Sequence, residues 1–368
     1  MKKLRIAQVA PLWYNIPPEK YGGTELVVYN LTEELVKMGH DVTLFATGKS
    51  KTSAKLFSVC PDSLIENGIK WHNHEYNLLN LQKAVEMQNE FDVIHSHILK
   101  WDLFFAPFLK TPLVSTIHSL LGIGKKEELK TNTTLKMYQN FPKHKAITIS
   151  NSQRRLAVVD LDFLGTVYNG IQLDTLKFTK RGGDCLIWIS RFAKKKGARE
   201  AIKIAKRSGM KIILAGRIED EPEKIYFNTH IKPEINNKDV FFYGELNKKE
   251  LSDFYGSGKA LLYPISWHEP FGLVMAEAMA CGTPVIAYKI GSIPEVVKDG
   301  VTGFVVKDEN SAVEAVKNLD KINRADCRKW VEEKFSSEVM AKGYEKIYYD
   351  LVKKQGKKLT YVSVKVVS

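Results

Sequence analysis

Residues 4–46, "LRIAQVAPLWYNIPPEKYGGTELVVYNLTEELVKMGHDVTLFA", decide how this chain is built. The runs "LRIAQVA" (4–10) and "DVTLFA" (41–46) are short, apolar and rich in β-branched residues, without strict polar alternation, as in parallel strands covered on both faces. Between them Leu26, Val27, Asn30, Leu31, Leu35 and Met38 recur at helical spacing, with Thr24 as the expected N-cap and Gly39 as the stop. A strand, a helix and a second strand in this order form a βαβ unit, and repetition of the unit implies a doubly wound α/β domain. It is repeated: "DVIHSH" (92–97), "PLVSTIH" (112–118) and "KAITIS" (145–150) read as further strands.

The pattern restarts after the polar stretch "VYNGIQLDTLKFTKRGGD" (167–184). There follow "CLIWIS" (185–190), "KIILAG" (211–216), "DVFFYG" (239–244), "ALLYPI" (260–265), "PVIAY" (284–288) and "GFVV" (303–306), separated by helical segments such as "GAREAIKIAKRSG" and "SAVEAVKNL". The expectation is an α/β protein of two Rossmann-like domains facing a central cleft, residues 1–172 and 173–337, with the boundary near 173–183. The helical pattern "EVMAKGYEKIYYDLV" (338–352), extended to about residue 355, is expected to pack back on the first domain. No structure is assigned to the basic tail 356–368.

Composition narrows the function classes. The chain has 368 residues, 44% of them hydrophobic and 26% charged, as in soluble globular proteins. A formal net charge of +13 points to an anionic partner: phosphate, nucleotide, nucleic acid or an anionic membrane face. The charge is dispersed and no DNA- or RNA-binding motif accompanies it, so no nucleic-acid partner is expected. Cys60, Cys185, Cys281 and Cys327 are widely spaced with no C-x-x-C, which argues against a zinc site or a disulfide framework and fits a reducing, cytoplasmic location. The apolar part of "MKKLRIAQVAP" stops at Pro11, too short for a signal peptide, and no run reaches the length of about 18 apolar residues that a membrane span needs.

The chemistry concentrates in "HEPFGLVMAEAMACGTPVIAY" (268–288), where every residue from Phe271 to Cys281 is apolar or small except Glu277. Pro270 and Gly272 turn the chain into a helix beginning near Leu273 and ended by Gly282 and Pro284. Its first-turn amides, around Phe271, Gly272 and Leu273, have no intrahelical acceptor and form a ready anion site. Helical side chains tilt toward the N-terminus, so Glu277 leans back toward that site, and Glu269 lies in the loop before it. A charged group among apolar neighbours is normally paired or used. One acid beside a phosphate-binding terminus and a second reaching sugar hydroxyls suit a nucleotide-sugar. In "ISRFAKKKGAREA", Arg191 ends a strand and Lys196 precedes a helix, and the two could neutralise a diphosphate leaving group without a metal. In the first half, Gly22 and Gly23 lead into a helix N-terminus that favours an anion, although G-x-G-x-x-G is absent. His118 ends a strand on the carboxyl edge, where open sheets bind ligands.

These segments together resemble a known family. "HEPFGLVMAEAMACGTPVIA", "GSIPEVVKDGVTGFVV", "SRFAKKKG", "VYNGI" and "YGGTELVVYNLTEELVKMGHDVTLFA" are similar, in order, to the retaining glycosyltransferases of family four with the GT-B fold. The resemblance implies that Glu277 holds the nucleotide ribose, that Glu269 contacts the donor sugar near its reacting face, and that Arg191 and Lys196 bind the diphosphate. It also implies that His118 lies beside the donor sugar and Gly23 near the phosphates. The first domain would bind the acceptor and the second the nucleotide-diphosphate-sugar donor, with the last helix crossing between them and no metal or other cofactor. The acceptor would be a sugar, a lipid-linked or a small-molecule hydroxyl. Ser190 stands where glycine commonly precedes the arginine.

Other readings remain beside this one. Epimerases and hydrolases of nucleotide-sugars use the same fold, and two lobes around a cleft also describe non-catalytic binding proteins. Asp160 and Asp162 in "VVDLDFLG" have D-x-D spacing for a metal but read as a turn or helix surface. His72 and His74, and His95 and His97, have metal-like spacing without an evident third ligand. Lys125, Lys126, Lys130, Lys136, Lys143 and Lys145 form either a solvated face or a contact with an anionic membrane carrying a lipid-linked acceptor.

Overall fold

The structure, a computed structural model, describes residues 2–20 and 22–363. It divides into two compact units, one comprising the chain up to Gly170 together with the part from Ser337 onward, the other Ile171–Ser336. The division falls a few residues before the polar stretch 173–183 in which the sequence places it. Ile171 already belongs to the second unit: its N–H donates to the Phe335 carbonyl at 2.9 Å, and it bridges Ser336 in parallel.

The first unit is built on seven strands, β1 (Arg5–Val9), β2 (Asp41–Phe45), β3 (Lys55–Phe57), β4 (Val93–Ser96), β5 (Leu113–Ile117), β6 (Lys145–Thr148) and β7 (Asp162–Thr166). They form one sheet in the order β3-β2-β1-β4-β5-β6-β7, every pair parallel. The order reverses between β1 and β4, so the carboxyl ends of these two strands open the crevice where doubly wound sheets bind ligands. The edge strands β3 and β7 are those the apolar runs do not announce; both are partly exposed and carry a weaker hydrophobic signal. Helix Gly23–Lys37 buries Val27, Val28, Leu31 and Leu35, each contributing about 1.5–3 kcal/mol. Its N-cap is Gly22 rather than Thr24, because the Leu26 N–H already donates to the Gly22 carbonyl; Gly39, at φ +91, follows its end. The C-terminal helix Ser337–Ser363 packs against Gly23–Lys37 and reaches further than the pattern 338–352. Of the basic tail 356–368, the helical backbone takes in residues 356–363, and the last five residues lie outside the described residues.

The second unit carries β8 (Cys185–Ile189), β9 (Lys211–Ala215), β10 (Val240–Gly244), β11 (Ala260–Tyr263), β12 (Val285–Tyr288) and β13 (Gly303–Val306). Again all pairs are parallel, in the order β10-β9-β8-β11-β12-β13. Trp188, Phe192, Ile202, Leu214, Leu262 and Ile286 share its core. The reversal lies between β8 and β11. Arg191 follows the first of these strands and the Glu269 loop follows the second, which puts both at the switch point.

Candidate active site

Helix Leu273–Ala280 is apolar except for Glu277 and buries Met275, Ala276, Ala278, Met279 and Ala280, with helix Arg324–Lys334 packed against it. Gly272 caps its start at φ +85; a Cβ there would lie 2.6 Å from Met275 Cε and 3.2 Å from Glu269 Cγ. The loop before it is clamped from "GSIPEVV". The Ser292 N–H donates to the Glu269 carbonyl at 3.0 Å, and Ser292 Oγ donates to the Phe271 carbonyl at 2.8 Å. Gly291, at φ +58, passes so close that a Cβ would stand 2.5 Å from Glu269 N and 2.6 Å from its carbonyl oxygen. Phe271 is buried against Phe335, while Gly272 and Leu273 are half-buried.

This clamp presents a buried Glu269. Its Oε2 accepts from Lys196 Nζ at 2.7 Å, Tyr263 Oη at 2.6 Å and Trp267 Nε1 at 3.1 Å. Oε1 has no hydrogen-bond partner among the described residues, so one oxygen is committed and the other is open to a ligand. Lys196 closes a short turn, Lys194–Lys196, before helix Ala198–Arg207, and its carbonyl accepts from Trp188 Nε1 at 3.0 Å. The Lys195 and Lys196 ammonium groups stand 4.4 and 4.7 Å from the Trp267 ring centroid. Partial burial lowers the Lys195 pKa, helped by the charges of Lys196 and Arg191 and opposed by Glu269 and Glu223. Lys195 therefore shares one field with both clusters.

Arg191 is placed differently from Lys196. Its guanidinium pairs with Glu219, and its Nε lies 3.5 Å from Glu223 Oε1; Arg217 also pairs with Glu219. Burial raises the Glu223 pKa, with the Arg191 charge pulling the other way. The structure thus joins Lys196 to Glu269 but seats Arg191 among carboxylates that a diphosphate would displace or share. Glu277 forms a third cluster. It is half-buried, its Oε2 accepts from the buried Tyr255 Oη at 2.7 Å, and burial raises its pKa against the effects of Tyr255 and Lys248. Sequence reasoning overlooked Tyr255, Tyr263, Trp267, Lys195, Glu219, Glu223 and Arg217. Trp267, two residues before Glu269, and Lys195, beside Lys196, were the nearest signals.

In the first unit His118 follows β5 and is half-buried, with its Nε2 2.9 Å from His97 Nδ1. Burial lowers its pKa to about 4, so the ring is neutral at pH 7. Gly22 and Gly23 open helix Gly23–Lys37 as the sequence indicates. The carboxylate of the buried Glu25 accepts from its own N–H and from that of Tyr14, so the chain's own acid occupies part of the expected anion site. Asp160 and Asp162 are exposed, and Asp162 opens β7 rather than sitting on a turn or helix surface. It stands at the amino edge of the sheet, the edge opposite His118. Among the described residues no group of three or more His, Cys, Asp or Glu could hold a metal ion. Of the lysine run, Lys125, Lys126, Lys130, Lys136 and Lys143 are exposed and Lys145 is half-buried. Among the described residues no helix is long and apolar enough to cross a membrane.

Known proteins share this architecture. Residues 177–335 match the family model described as glycosyl transferases group 1, and residues 21–175 that of glycosyltransferase family 4. The N-acetyl-alpha-D-glucosaminyl L-malate synthase of Bacillus anthracis is 26% identical over 382 residues, covering 91% of this chain and 96% of that protein. The solved sucrose-phosphate synthase from Thermosynechococcus elongatus superposes with a TM-score of 0.75 at 19% identity, over 95% of this chain and 99% of the other. The Anabaena protein HepE, crystallised with UDP-glucose, superposes with a TM-score of 0.68 at 18% identity, over 95% and 99% of the two chains.

Proposed function

This chain belongs to the family 4 glycosyltransferases of the GT-B fold, and from that premise we propose that it moves a hexose-type sugar, with retention and without a metal, from a nucleotide-diphosphate-sugar to a hydroxyl acceptor. One observation carries the reading: Glu269, with one oxygen held by Lys196, Tyr263 and Trp267 and the other open, stands just before the first-turn amides of helix Leu273–Ala280. The amides and the ammonium groups of Lys195 and Lys196 meet the diphosphate, Arg191 joins them when phosphate displaces its carboxylates, and Glu277 takes the ribose hydroxyls. The resemblance to the family assigns His118 to the donor sugar and Gly23 to the phosphates. UDP-glucose bound to HepE supports a nucleotide-sugar as the donor class. The first unit takes the acceptor; a lipid-linked one would bring the lysine run 125–145 to the inner face of the cytoplasmic membrane.

We take attack to come from the front face rather than from Glu269 Oε1, which has no hydrogen-bond partner among the described residues. The bond from the anomeric carbon to the phosphate oxygen breaks and the bond to the acceptor oxygen forms on the same side. The departing phosphate takes the acceptor's proton, while the Glu269 charge favours the oxocarbenium-like state. Titration of UDP, UDP-glucose, UDP-N-acetylglucosamine and GDP-mannose into variants tests the roles. Glu277→Gln should weaken nucleotide and nucleotide-sugar alike by roughly 1.5–3 kcal/mol. Glu269→Gln should bind free nucleotide as the parent does while turnover falls. Equal loss of nucleotide affinity in both, or a trapped glycosyl-enzyme on Glu269, would overturn the assignment.

A further inference from the structure

The turn Lys194–Lys196 and the loop that follows β11 lie side by side, because β8 and β11 are paired in the second sheet and their exits are neighbours. Beyond the sheet the two backbones are joined. The Ser266 N–H donates to the Lys195 carbonyl at 3.0 Å. Gly197, at φ +76, comes so close that a Cβ there would overlap the Pro264 carbonyl oxygen. Trp188 Nε1, from β8, donates to the Lys196 carbonyl at 3.0 Å. With both segments fixed, the half-buried Trp267 stands where the side chains of Lys195 and Lys196 meet.

Trp267 makes two kinds of contact at once. The ammonium groups of Lys195 and Lys196 stand over its ring, 4.4 and 4.7 Å from the centroid, and its Nε1–H donates to Glu269 Oε2 at 3.1 Å. Indole combines a wide π face with a donor on its edge. The face matters because two ammonium groups meet one carboxylate here. Lys196 is paired with Glu269 at 2.7 Å, while the Lys195 ammonium has no hydrogen bond or ion pair among the described residues. Like charges so placed repel, and the negative face of the ring offsets that repulsion without a formal charge. Arg191 is held in the opposite way, by Glu219 and Glu223, carboxylates that an incoming phosphate must displace or share. A ring with no net charge leaves its ammonium groups available to phosphate.

We propose that Trp267 is a positioning residue with two separable parts: its ring gathers the Lys195 and Lys196 ammonium groups for the diphosphate, and its Nε1–H helps hold Glu269 Oε2, leaving Oε1 for the sugar. The inference rests on the reading of the second unit as the donor site, with Glu269 on the sugar. One side chain then serves both halves of the donor. Phenylalanine at this position keeps the face and loses the N–H, whereas leucine loses both.

The test uses the full chain and, as probes, UDP-glucose, UDP-N-acetylglucosamine and GDP-mannose with the free diphosphates UDP and GDP. Calorimetric titration gives two readings for the pair that the parent binds most tightly. One is the dissociation constant of the free diphosphate; the other is the ratio of that constant to the one for the nucleotide-sugar. Trp267→Phe should bind the free diphosphate within about twofold of the parent, while its ratio falls by about threefold or more. In the double variant with Glu269→Gln the ratio should fall no further than in Glu269→Gln alone, since both changes remove one interaction. Trp267→Leu should in addition lose about fivefold or more in free-diphosphate affinity. A merely structural role would move both readings together. A parental ratio in Trp267→Phe, parental diphosphate affinity in Trp267→Leu, or equal loss of that affinity in both would overturn the proposal. If Trp267→Leu does not fold, Lys195→Met, at an exposed position, takes its place, and undiminished diphosphate affinity there overturns the part given to the ring. A Glu269→Gln variant whose own ratio matches the parent's overturns the reading beneath instead.

Discussion

Glu25 is 3% exposed, yet its carboxyl sits two residues beyond the Gly22–Gly23 pair, and burial raises its pKa to about 7 against two backbone hydrogen bonds. An acid whose folded pKa lies above its unfolded value favours the folded state fully at low pH. That advantage is lost as pH rises, here from an ordinary value of 4.5 to about 7, an interval worth about 3 kcal/mol. Glu25→Gln should therefore match the parent in stability near pH 4 and exceed it by up to that amount at pH 8. Denaturant titrations across pH 4–8 check this as a difference curve, which cancels the opposite contribution of the buried histidines; a flat difference would show that Glu25 is charged at little cost. Glu269 and Lys196 were legible as site residues because a charge in an apolar context needs a partner or a use. The Lys196–Glu269 pair and Arg191's pairing with Glu219 were not legible, since which donor meets which acceptor there is settled by packing between segments 73 and 28 residues apart; Tyr263 and Trp267 are near Glu269 in sequence, but nothing local says that their donors turn to its Oε2.

Helix Leu273–Ala280 shows the same division among elements. Its extent, its apolar sides and its glycine-capped start could be read from spacing alone, whereas the clamp from Gly291 and Ser292 on the preceding loop could not. Gly291→Ala forces a side chain into a left-handed conformation and against the Glu269 backbone. Gly300 supplies a control, for it has φ +72 but open space around its Cβ. Gly300→Ala should cost about 1 kcal/mol from backbone strain alone, and Gly291→Ala about 3 kcal/mol or more, with turnover falling further than nucleotide affinity. Thermal unfolding and steady-state rates read both; equal behaviour of the two variants would mean that the clamp does not position Glu269. The edge strands β3 and β7 escaped the sequence reading because a strand bonded on one side and partly wet needs no continuous apolar run.

At the scale of the whole molecule, the proposed reaction meets the phosphate charge with Lys195, Lys196, Arg191 and helix amides, and it therefore predicts that EDTA leaves transfer activity unchanged. Loss of activity restored by manganese would overturn metal independence. The net charge of +13 and the exposed lysines between 125 and 143 predict co-sedimentation with anionic vesicles, weakening with salt, and none with neutral vesicles. Failure to sediment with either would leave those lysines as a solvated face.

The sequence by itself determined the two α/β halves, the chain positions of their main strands and the identity of Glu269, Glu277, Lys196 and His118 as candidates, because periodicity and isolated charges are local properties that survive without coordinates. Only the tertiary structure decided their states. Gln8 and Tyr348 lie 340 residues apart, and the histidines 95 and 97, which spacing alone left looking like unfinished metal ligands, take their hydrogen-bond partners from these two residues, which no local pattern connects to them. Hydrogen-bond direction and desolvation belong to the assembled core, since both depend on what is packed around a group rather than on its neighbours in the chain.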